Sequence, residues 1–416
     1  MKYLSGLAIK GQAILRSQSV QNLALYGGTT SLGQFFTFIY TLLAARSLGP
    51  AQFGVYASCY SAAGVSAVLI TWGMDVWLLR ESASPGNLLS LAGGILRNKA
   101  FIGLAWAVVL VVGLPLIRPD VFSRILLAIC AVDLWCDSCL NTQIACLNVN
   151  RKISSISRLV IVSRLGRLIG AIIILILGIE SAVLFALARA IFSLIAFLVS
   201  WKYTRPHWFN LPSFTSIFRL SLPFAASEFL AQIYLQADVT ILALLSTKSA
   251  TGLYSTAEGV INALFLIPNT GYLLSIPSLS RLAREPELLR LALKRNILRS
   301  LALGAALMIA ALLLGLFVLE IILGSQYKTS GILLAFMSPL PLLKSFEFGF
   351  AGIMVASGLQ SRRLIPQAVS AAANVLLNIL FIPIAGIYGV AVVYIISEII
   401  LTAGYGITVF NYSRKK

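Results

Sequence analysis

The chain has 416 residues, of which 59% are hydrophobic and 11% are charged, and its formal net charge is +18 at pH 7. In a soluble protein this charge would favour nucleic-acid binding. Here the apolar residues are gathered into stretches of about 20, the length that an α-helix needs to cross a bilayer. The composition therefore excludes a soluble nucleic-acid-binding protein and predicts a membrane protein whose positive charge attracts anionic lipid.

Twelve such stretches follow one another along the chain, and each predicts one transmembrane helix. In chain order they cover residues 21–45, 53–76, 99–117, 123–148, 157–178, 181–201, 218–246, 252–276, 297–324, 330–356, 364–385 and 387–411. The predicted fold is an all-α polytopic membrane protein with about 12 transmembrane helices. No predicted loop exceeds roughly 20 residues, which is too short for a soluble catalytic domain, so the sequence does not favour an enzyme.

The basic residues orient these helices, because cytoplasmic loops of membrane proteins carry an excess of Lys and Arg. With a cytoplasmic amino terminus, most of the 32 Lys and Arg residues fall on the cytoplasmic side. Five fall on the opposite side: Arg46, Arg118, Arg124, Lys248 and Lys328. The bias predicts that both termini face the cytoplasm. The basic run from Arg281 to Arg299, with leucines among its bases, predicts an amphipathic helix lying on the cytoplasmic membrane surface.

A weak internal repeat links the two halves of the chain. Gly54-Val55-Tyr56 follows the first predicted helix, and Gly252-Leu253-Tyr254 follows the seventh, 198 residues later. Both helices would start from the cytoplasm, so the halves would be parallel repeats related by an axis along the membrane normal. We therefore expect two six-helix lobes, residues 1–208 and 209–416, with a substrate path between them.

Groups of turn-forming, aromatic and small residues run in order through both halves. They are Arg46 to Tyr56, Gly73, Arg80, Asp238, Gly252 to Ala257, Pro277 to Arg281, Asn374, Asn378, Ile382, Pro383, Gly386, Gly389, Ser397 and Glu398. Together they resemble the O-antigen and related polysaccharide-unit flippases of the multidrug/oligosaccharidyl-lipid/polysaccharide (MATE-like) exporter superfamily. One position departs from these relatives, which often follow the helix-seven Asp with a basic residue, whereas Asp238 precedes Val239.

The resemblance implies a flippase of the bacterial inner (cytoplasmic) membrane. Its substrate would be an undecaprenyl-pyrophosphate-linked oligosaccharide, an O-antigen or other polysaccharide repeat unit, moved to the periplasmic leaflet by alternating access. The implied partners are membrane lipids, this lipid-linked oligosaccharide and polysaccharide-assembly proteins. An ion-coupled exporter of drugs or metabolites from the same superfamily is the alternative.

Arginines inside the first predicted lobe are the candidate contacts for a pyrophosphate. Arg164 and Arg167 lie one turn apart in the fifth predicted helix, and Arg189 lies near the middle of the sixth. A charge in the hydrocarbon core is costly unless it faces protein or water, and Arg binds phosphate oxygens through a planar fork. Asp133 and Asp137 in the fourth helix leave a second interpretation open, in which these arginines form structural ion pairs. All five are candidate substrate-binding residues.

The second predicted lobe is acidic. Asp238 and Glu228 in the seventh helix and Glu398 in the twelfth are candidates for coupling transport to an ion gradient, because buried carboxylates can carry protons or bind sodium. Lys344 is expected to pair with Glu347, three residues further along its helix. Apart from H⁺ or Na⁺ as a coupling ion, no cofactor is predicted.

The sequence gives little support for a metal-binding site or for an enzyme. Cys136 and Cys139 have the spacing of a metal-binding pair, but no second pair or nearby His completes a ligand set. A membrane acyltransferase would place a His within a span, and a polysaccharide polymerase or ligase would show a large extracytoplasmic loop; the sequence has neither. After its second predicted helix the chain also lacks the Gly-x-x-x-Asp-Arg-x-Gly-Arg pattern of major-facilitator carriers.

Overall fold

The computed structural model describes residues 18–81, 88–113, 121–207, 211–282 and 286–415. Within these ranges the regular structure is entirely helical. The helices are α1 (Gln18–Thr71), α2 (Met74–Glu81), α3 (Leu88–Gly113), α4 (Val121–Val149), α5 (Ile153–Ile176), α6 (Ala182–Thr204), α7 (Phe214–Leu245), α8 (Lys248–Leu264), α9 (Leu266–Leu282), α10 (Pro286–Leu313), α11 (Leu319–Leu323), α12 (Lys328–Phe336), α13 (Leu340–Ala356) and α14 (Leu364–Lys415). A π-helical segment, Leu314–Val318, joins α10 to α11, and short 3₁₀ turns cover Ser325–Tyr327 and Gln360–Arg363.

Seven of the described helical stretches are long and apolar enough to cross a membrane. They are Gly27–Glu81, Leu88–Val109, Val121–Val149, Ile153–Ile176, Ala182–Thr204, Leu291–Leu323 and Gln360–Arg414. An eighth results if Ser325–Phe336 and Leu340–Ala356, which meet at a bend of 47°, form one broken span. The residues at the two chain ends, 1–17 and 416, lie outside the described ranges, as does Arg118, so the predicted position of the termini stays a prediction.

Large apolar side chains cover the outside of these helices. Ile176 is 78% exposed, Ile321 81% and Ile384 82%, and many other Leu, Ile, Val and Phe side chains are more than one-third exposed. A soluble protein rarely exposes contiguous apolar surface on this scale, whereas a bilayer solvates it. The chain is therefore a multi-pass membrane protein.

The helix α1 is folded back on itself. It is broken at Gly49, whose φ of 67° lies in the left-handed region that glycine adopts without strain, and Pro50 follows. In a straight helix Tyr40 and Tyr56 would lie about 24 Å apart at 1.5 Å per residue. Their hydroxyl oxygens are instead 3.0 Å apart. The two parts of α1 thus run side by side in opposite directions, as the predicted turn between helices one and two requires.

The helix α14 has the same construction. It is broken at Gly386, where φ is 56°. Across the break, the Ser370 hydroxyl donates to the Ser397 carbonyl at 2.7 Å, although the two residues are 27 positions apart. This double-length helix therefore also consists of two antiparallel parts, which correspond to the predicted helices eleven and twelve.

The two halves of the chain meet at the predicted internal repeat. A Cβ atom on Gly54 would lie 1.8 Å from the carbonyl oxygen of Lys248, and one on Gly252 would lie 1.9 Å from that of Pro50. No side chain fits at either position, so the backbones of α1 and α8 cross in direct contact. Both members of the repeated Gly-x-Tyr motif thus pack against each other.

A pair of hydrogen bonds follows the same offset of 198 residues. Tyr56 contacts Tyr40, 16 residues before it, at 3.0 Å, and Tyr254 donates to Asp238, also 16 residues before it, at 2.5 Å. A neutral hydroxyl in the first half therefore stands where the second half has a carboxylate. The two halves share a packing pattern and differ in charge.

Two helices begin 11 residues before their predicted starts, at residues 88 and 286 instead of 99 and 297. The first of them, α3, begins at Leu88 and buries Lys99, a residue that the charge pattern placed on the cytoplasmic side. The Lys99 ammonium lies 2.8 Å from the Asp75 carboxylate, and that pairing offsets the cost of burial.

The prediction of a separate amphipathic surface helix between Arg281 and Arg299 is wrong. The ninth predicted helix was expected from residue 297, after a separate amphipathic helix. Instead, α10 runs without interruption from Pro286 to Leu313, so these basic residues form the first turns of a helix that continues into an apolar span. Residues 283–285 lie outside the described ranges.

Candidate functional site

The five predicted substrate-binding residues lie on three helices that pack together in the first half of the chain. Asp133 and Asp137 are one turn apart on α4, Arg164 and Arg167 are one turn apart on α5, and Arg189 lies on α6. Spacings of three and four residues place the members of each pair on one face of their helix. The structure therefore brings all five into one charged region.

Arg167 is the centre of this region. It is 2% exposed, and its Nη2 atom lies 2.6 Å from Asp137 Oδ1 and 3.2 Å from Asp133 Oδ1. The Ser193 hydroxyl contacts both Arg167 and Asp133. Arg167 thus forms the ion pairs of the second interpretation that the sequence left open. Its Nε and Nη1 groups have no hydrogen-bond partner among the described residues, so two donors remain for water or a ligand.

Arg189 is held from two sides. Its Nε atom lies 3.1 Å from Asp133 Oδ2, and its guanidinium carbon lies 4.1 Å from the centre of the Tyr60 ring. The Tyr60 hydroxyl also donates to Asp133 at 2.9 Å. Tyr60 thus stabilises both members of the ion pair, through a cation–π contact and a hydrogen bond.

Arg164 differs from the other two arginines. No carboxylate oxygen of the described residues lies within 4 Å of its guanidinium, so its predicted pairing with an aspartate is not seen at ion-pair distance. It lines a cavity of about 150 Å³ together with Asp137, Asn141, Gln34 and Ser163. Three arginines face two aspartates, and Arg164 carries the unmatched positive charge next to a polar cavity.

Asp238 is the least compensated of the three predicted ion-coupling carboxylates. It is 3% exposed and accepts hydrogen bonds from the Tyr254 hydroxyl at 2.5 Å and the Val239 backbone N–H at 2.8 Å. No Lys or Arg nitrogen of the described residues lies within 4 Å of it. Glu258, one turn after Tyr254 on α8, is a second buried carboxylate within electrostatic range of Asp238.

Glu398 has a cationic partner. Lys344 Nζ lies 3.2 Å from Glu398 and 2.6 Å from Glu347, so the predicted pairing of Lys344 with Glu347 is confirmed. One ammonium faces two carboxylates, and this cluster therefore carries a net negative charge. The acidic character predicted for the second half thus persists in its packed interior.

Glu228 lies at a contact between the two halves. Its carboxylate accepts the Gly73 backbone N–H at 2.9 Å, at the break between α1 and α2, where Trp72 and Gly73 have positive φ. The Trp72 ring stacks on Phe218 of α7 with ring centres 4.2 Å apart. Glu228 is therefore placed to hold the cytoplasmic ends of α1 and α7 together under the predicted topology.

Sequence reasoning missed Tyr60 and Ser193 as members of the arginine network and Asp75 as the partner of Lys99. Ser193 lies four residues after Arg189, a spacing that does predict a shared helix face. Tyr60 and Asp75 had no such signal, because their partners are distant in the sequence. Among the described residues, no group of three or more His, Cys, Asp or Glu side chains is arranged to hold a metal ion.

Solved structures with the same fold are membrane transporters. The lipid II flippase MurJ in an inward closed conformation superposes with a TM-score of 0.73 at 16% identity, covering 92% of this chain and 87% of that chain. An inward-facing multidrug resistance MATE family transporter of the MOP superfamily superposes with a TM-score of 0.63 at 14% identity, covering 94% of each chain. At these identities the likeness shows the fold alone.

The sequence itself matches one family. Comparison with curated protein sequences gives no match. The sequence model of the family described as "Polysaccharide biosynthesis protein" matches residues 43–331, well over half of the chain and including the arginine network, the glycine crossing and Asp238. The chain therefore belongs to this polysaccharide biosynthesis family and has the fold of the MurJ and MATE transporters.

Proposed function

We propose that the protein is a flippase that carries an undecaprenyl-pyrophosphate-linked oligosaccharide across the bacterial inner membrane. Membership of a polysaccharide biosynthesis family and a fold shared with a lipid II flippase support this proposal. The observation that carries it is Arg164, an unmatched guanidinium beside a polar cavity within a membrane-spanning bundle. An O-antigen or another polysaccharide repeat unit would be the cargo.

The chemistry of the cavity suits a pyrophosphate. A half-buried cation without a carboxylate partner at ion-pair distance favours an anionic ligand, and Arg presents its donors in a planar fork that matches phosphate oxygens. Asn141 and Gln34 add neutral hydrogen-bonding groups that suit sugar hydroxyls. A volume of about 150 Å³ is roughly ten times the 15 Å³ that one water needs. In this proposal Arg167 and Arg189 mainly hold the site together, while Arg164 meets the headgroup.

The proposed architecture is two six-helix lobes, residues 1–208 and 209–416, with twelve crossings and both termini in the cytoplasm. The count of twelve takes the two parts of α1 and of α14 as separate crossings. It also includes α7 and the α8–α9 pair, whose polar residues make them less apolar than the other spans. The lobes would rock about the contact of Gly54 with Gly252, exposing the cargo path to each side of the membrane in turn.

Coupling to an ion gradient is part of the proposal. Asp238 is the first choice for the coupling residue because it is buried without a cationic partner among the described residues. Glu398 ranks after it because it pairs with Lys344, and Glu228 ranks after it because its side chain is only half-buried. The ion would be H⁺ or Na⁺, and the protein would act with membrane lipids and polysaccharide-assembly proteins, without catalysing a reaction itself.

Deletion of the gene tests the cargo. We expect a polyprenyl-pyrophosphate-linked oligosaccharide to accumulate on the cytoplasmic leaflet, and the wild-type gene to restore its export. Lipid extraction with mass spectrometry identifies the glycan, and a membrane-impermeant glycan-modifying reagent on sealed inverted vesicles reports the leaflet. Unchanged lipid-linked glycans together with increased sensitivity to drugs would replace this proposal with the multidrug-exporter alternative.

A further inference from the structure

A second cavity lies in the second half of the chain. It has a volume of about 220 Å³, lies between α9, α10 and α13, and shares no lining residue with the cavity beside Arg164. From α10 it receives Asn296, Arg299 and Ser300, whose spacing puts them on one side of the helix. The helix α9 adds Tyr272 and Ser275. The cavity therefore combines one guanidinium with hydroxyl and amide groups.

Among the described residues, Arg299 is the one charged residue that lines this cavity. No carboxylate oxygen of the described residues lies within 4 Å of its guanidinium. Asn296 and Ser300 pack directly against Gly349 of α13, where a Cβ atom would lie 2.8 Å from the Asn296 amide nitrogen and 2.7 Å from the Ser300 hydroxyl. Glycine at this position thus allows two hydrogen-bonding groups to lie between α10 and α13 beside an unmatched cation, a combination that suits phosphate oxygens.

The position of Arg299 on α10 gives lipid access to the cavity. Its neighbours Leu298 and Leu301 are 56% and 48% exposed, as expected for a helix surface that faces acyl chains. Arg299 is itself exposed and lies eight residues, about 12 Å along the helix axis, after Leu291, where the apolar stretch starts. Helical side chains lean toward the helix amino terminus, which for α10 is the side of the cytoplasmic headgroups under the predicted topology.

We propose that this cavity binds the phosphate of a lipid headgroup. Arg299 supplies the ion pair, Asn296 and Ser300 supply hydrogen bonds, and an acyl or prenyl chain lies along Leu298 and Leu301. Two lipids carry such a group: an anionic phospholipid of the membrane, and the polyprenyl pyrophosphate of the proposed cargo. The inference needs no transport activity, because the first of these lipids binds whether or not the protein is a flippase.

Native mass spectrometry of the purified full-length protein tests this site. The protein is titrated separately with phosphatidylglycerol, undecaprenyl pyrophosphate and, as a zwitterionic reference, phosphatidylcholine of matched chains. Arg299→Gln should weaken binding of at least one of the two anionic lipids roughly tenfold, the effect of losing a charge-assisted hydrogen bond. Arg295→Gln removes the same charge one turn away, outside the cavity, and should change binding less than about twofold.

The pattern of losses identifies the source of the phosphate. Loss confined to phosphatidylglycerol assigns the cavity to a resident phospholipid, and loss of undecaprenyl pyrophosphate assigns it to the cargo lipid. Gly349→Ala keeps the charge but fills the space beside Asn296, and it should reproduce the loss caused by Arg299→Gln. The proposal would be overturned if folded Arg299→Gln or folded Gly349→Ala bound both anionic lipids as tightly as the wild type. It would also be overturned if Arg295→Gln lost as much lipid binding as Arg299→Gln.

Discussion

Replacing Arg167 with Ala should remove most of the folded protein. The substitution leaves Asp137 without its ion-pair partner and deprives the fully buried Asp133 of one of its two cationic partners. Leaving a buried carboxylate unpaired costs about 3–5 kcal/mol, a large part of the about 5–15 kcal/mol that separates folded from unfolded states. The measurement is the thermal midpoint and the yield of monodisperse protein after detergent extraction.

Two further variants separate ion pairing from a general loss of charge. Arg158→Ala, on the exposed side near the start of α5, should leave stability within about 0.5 kcal/mol. Removing both charges at once, with Arg167→Gln and Asp137→Asn, should recover much of the lost stability because no unpaired ion remains. An Arg167→Ala protein as stable and abundant as the wild type would show that the ion pairs do not support the fold.

Replacing Asp238 with Asn should abolish the response of transport to an ion gradient while the fold is retained. Asn keeps the shape and one acceptor oxygen for the Val239 N–H, and its NH2 group can donate to the Tyr254 hydroxyl, which then accepts instead of donating. It loses the negative charge that would exchange a proton or sodium ion. In proteoliposomes with imposed H⁺ or Na⁺ gradients, the variant should run at the rate that the wild type shows without a gradient.

A matched neutralisation controls for the loss of one charge. Glu320→Gln, on α11 away from the candidate sites, should respond to gradients like the wild type. Glu398→Gln tests the second candidate, and we expect it to keep its response because an ion pair with Lys344 already holds that carboxylate in its charged form. An Asp238→Asn protein that still responds fully to both gradients would exclude Asp238 as the essential coupling residue.

Local sequence patterns predicted those features of the structure that a few neighbouring residues determine. The predicted gaps between helices one and two and between helices eleven and twelve contain Gly49 and Gly386, and the structure breaks α1 and α14 at these residues. Lys344 and Glu347 pair as their spacing of three residues predicts. A helix face and a chain reversal are decided within a few residues, so sequence periodicity and turn chemistry are sufficient to find them.

Features that depend on distant partners were missed or left open. The helix α3 can bury Lys99 because Asp75 pairs with it. No local sequence pattern indicates this contact between residues 24 positions apart. The arginines left two interpretations open for the same reason. The structure distinguishes them residue by residue: Arg167 and Arg189 have aspartate partners, and Arg164 lines a cavity. Which arginine contacts which aspartate depends on how the helices pack in three dimensions. A single sequence does not show that packing.

Translocation of the lipid-linked oligosaccharide by Arg164 variants is the most direct test of the proposed function. Purified protein is reconstituted with an undecaprenyl-pyrophosphate-linked oligosaccharide, and an impermeant glycan-modifying reagent measures its movement between leaflets. The wild type should translocate it, Arg164→Gln should lose at least roughly tenfold in rate while keeping its thermal midpoint, and Arg164→Lys should recover only part because it lacks the planar fork. Arg158→Gln, six residues earlier on the exposed side of α5, should match the wild type. Failure of the wild type to move this lipid, or wild-type rates for folded Arg164→Gln, would contradict the assignment.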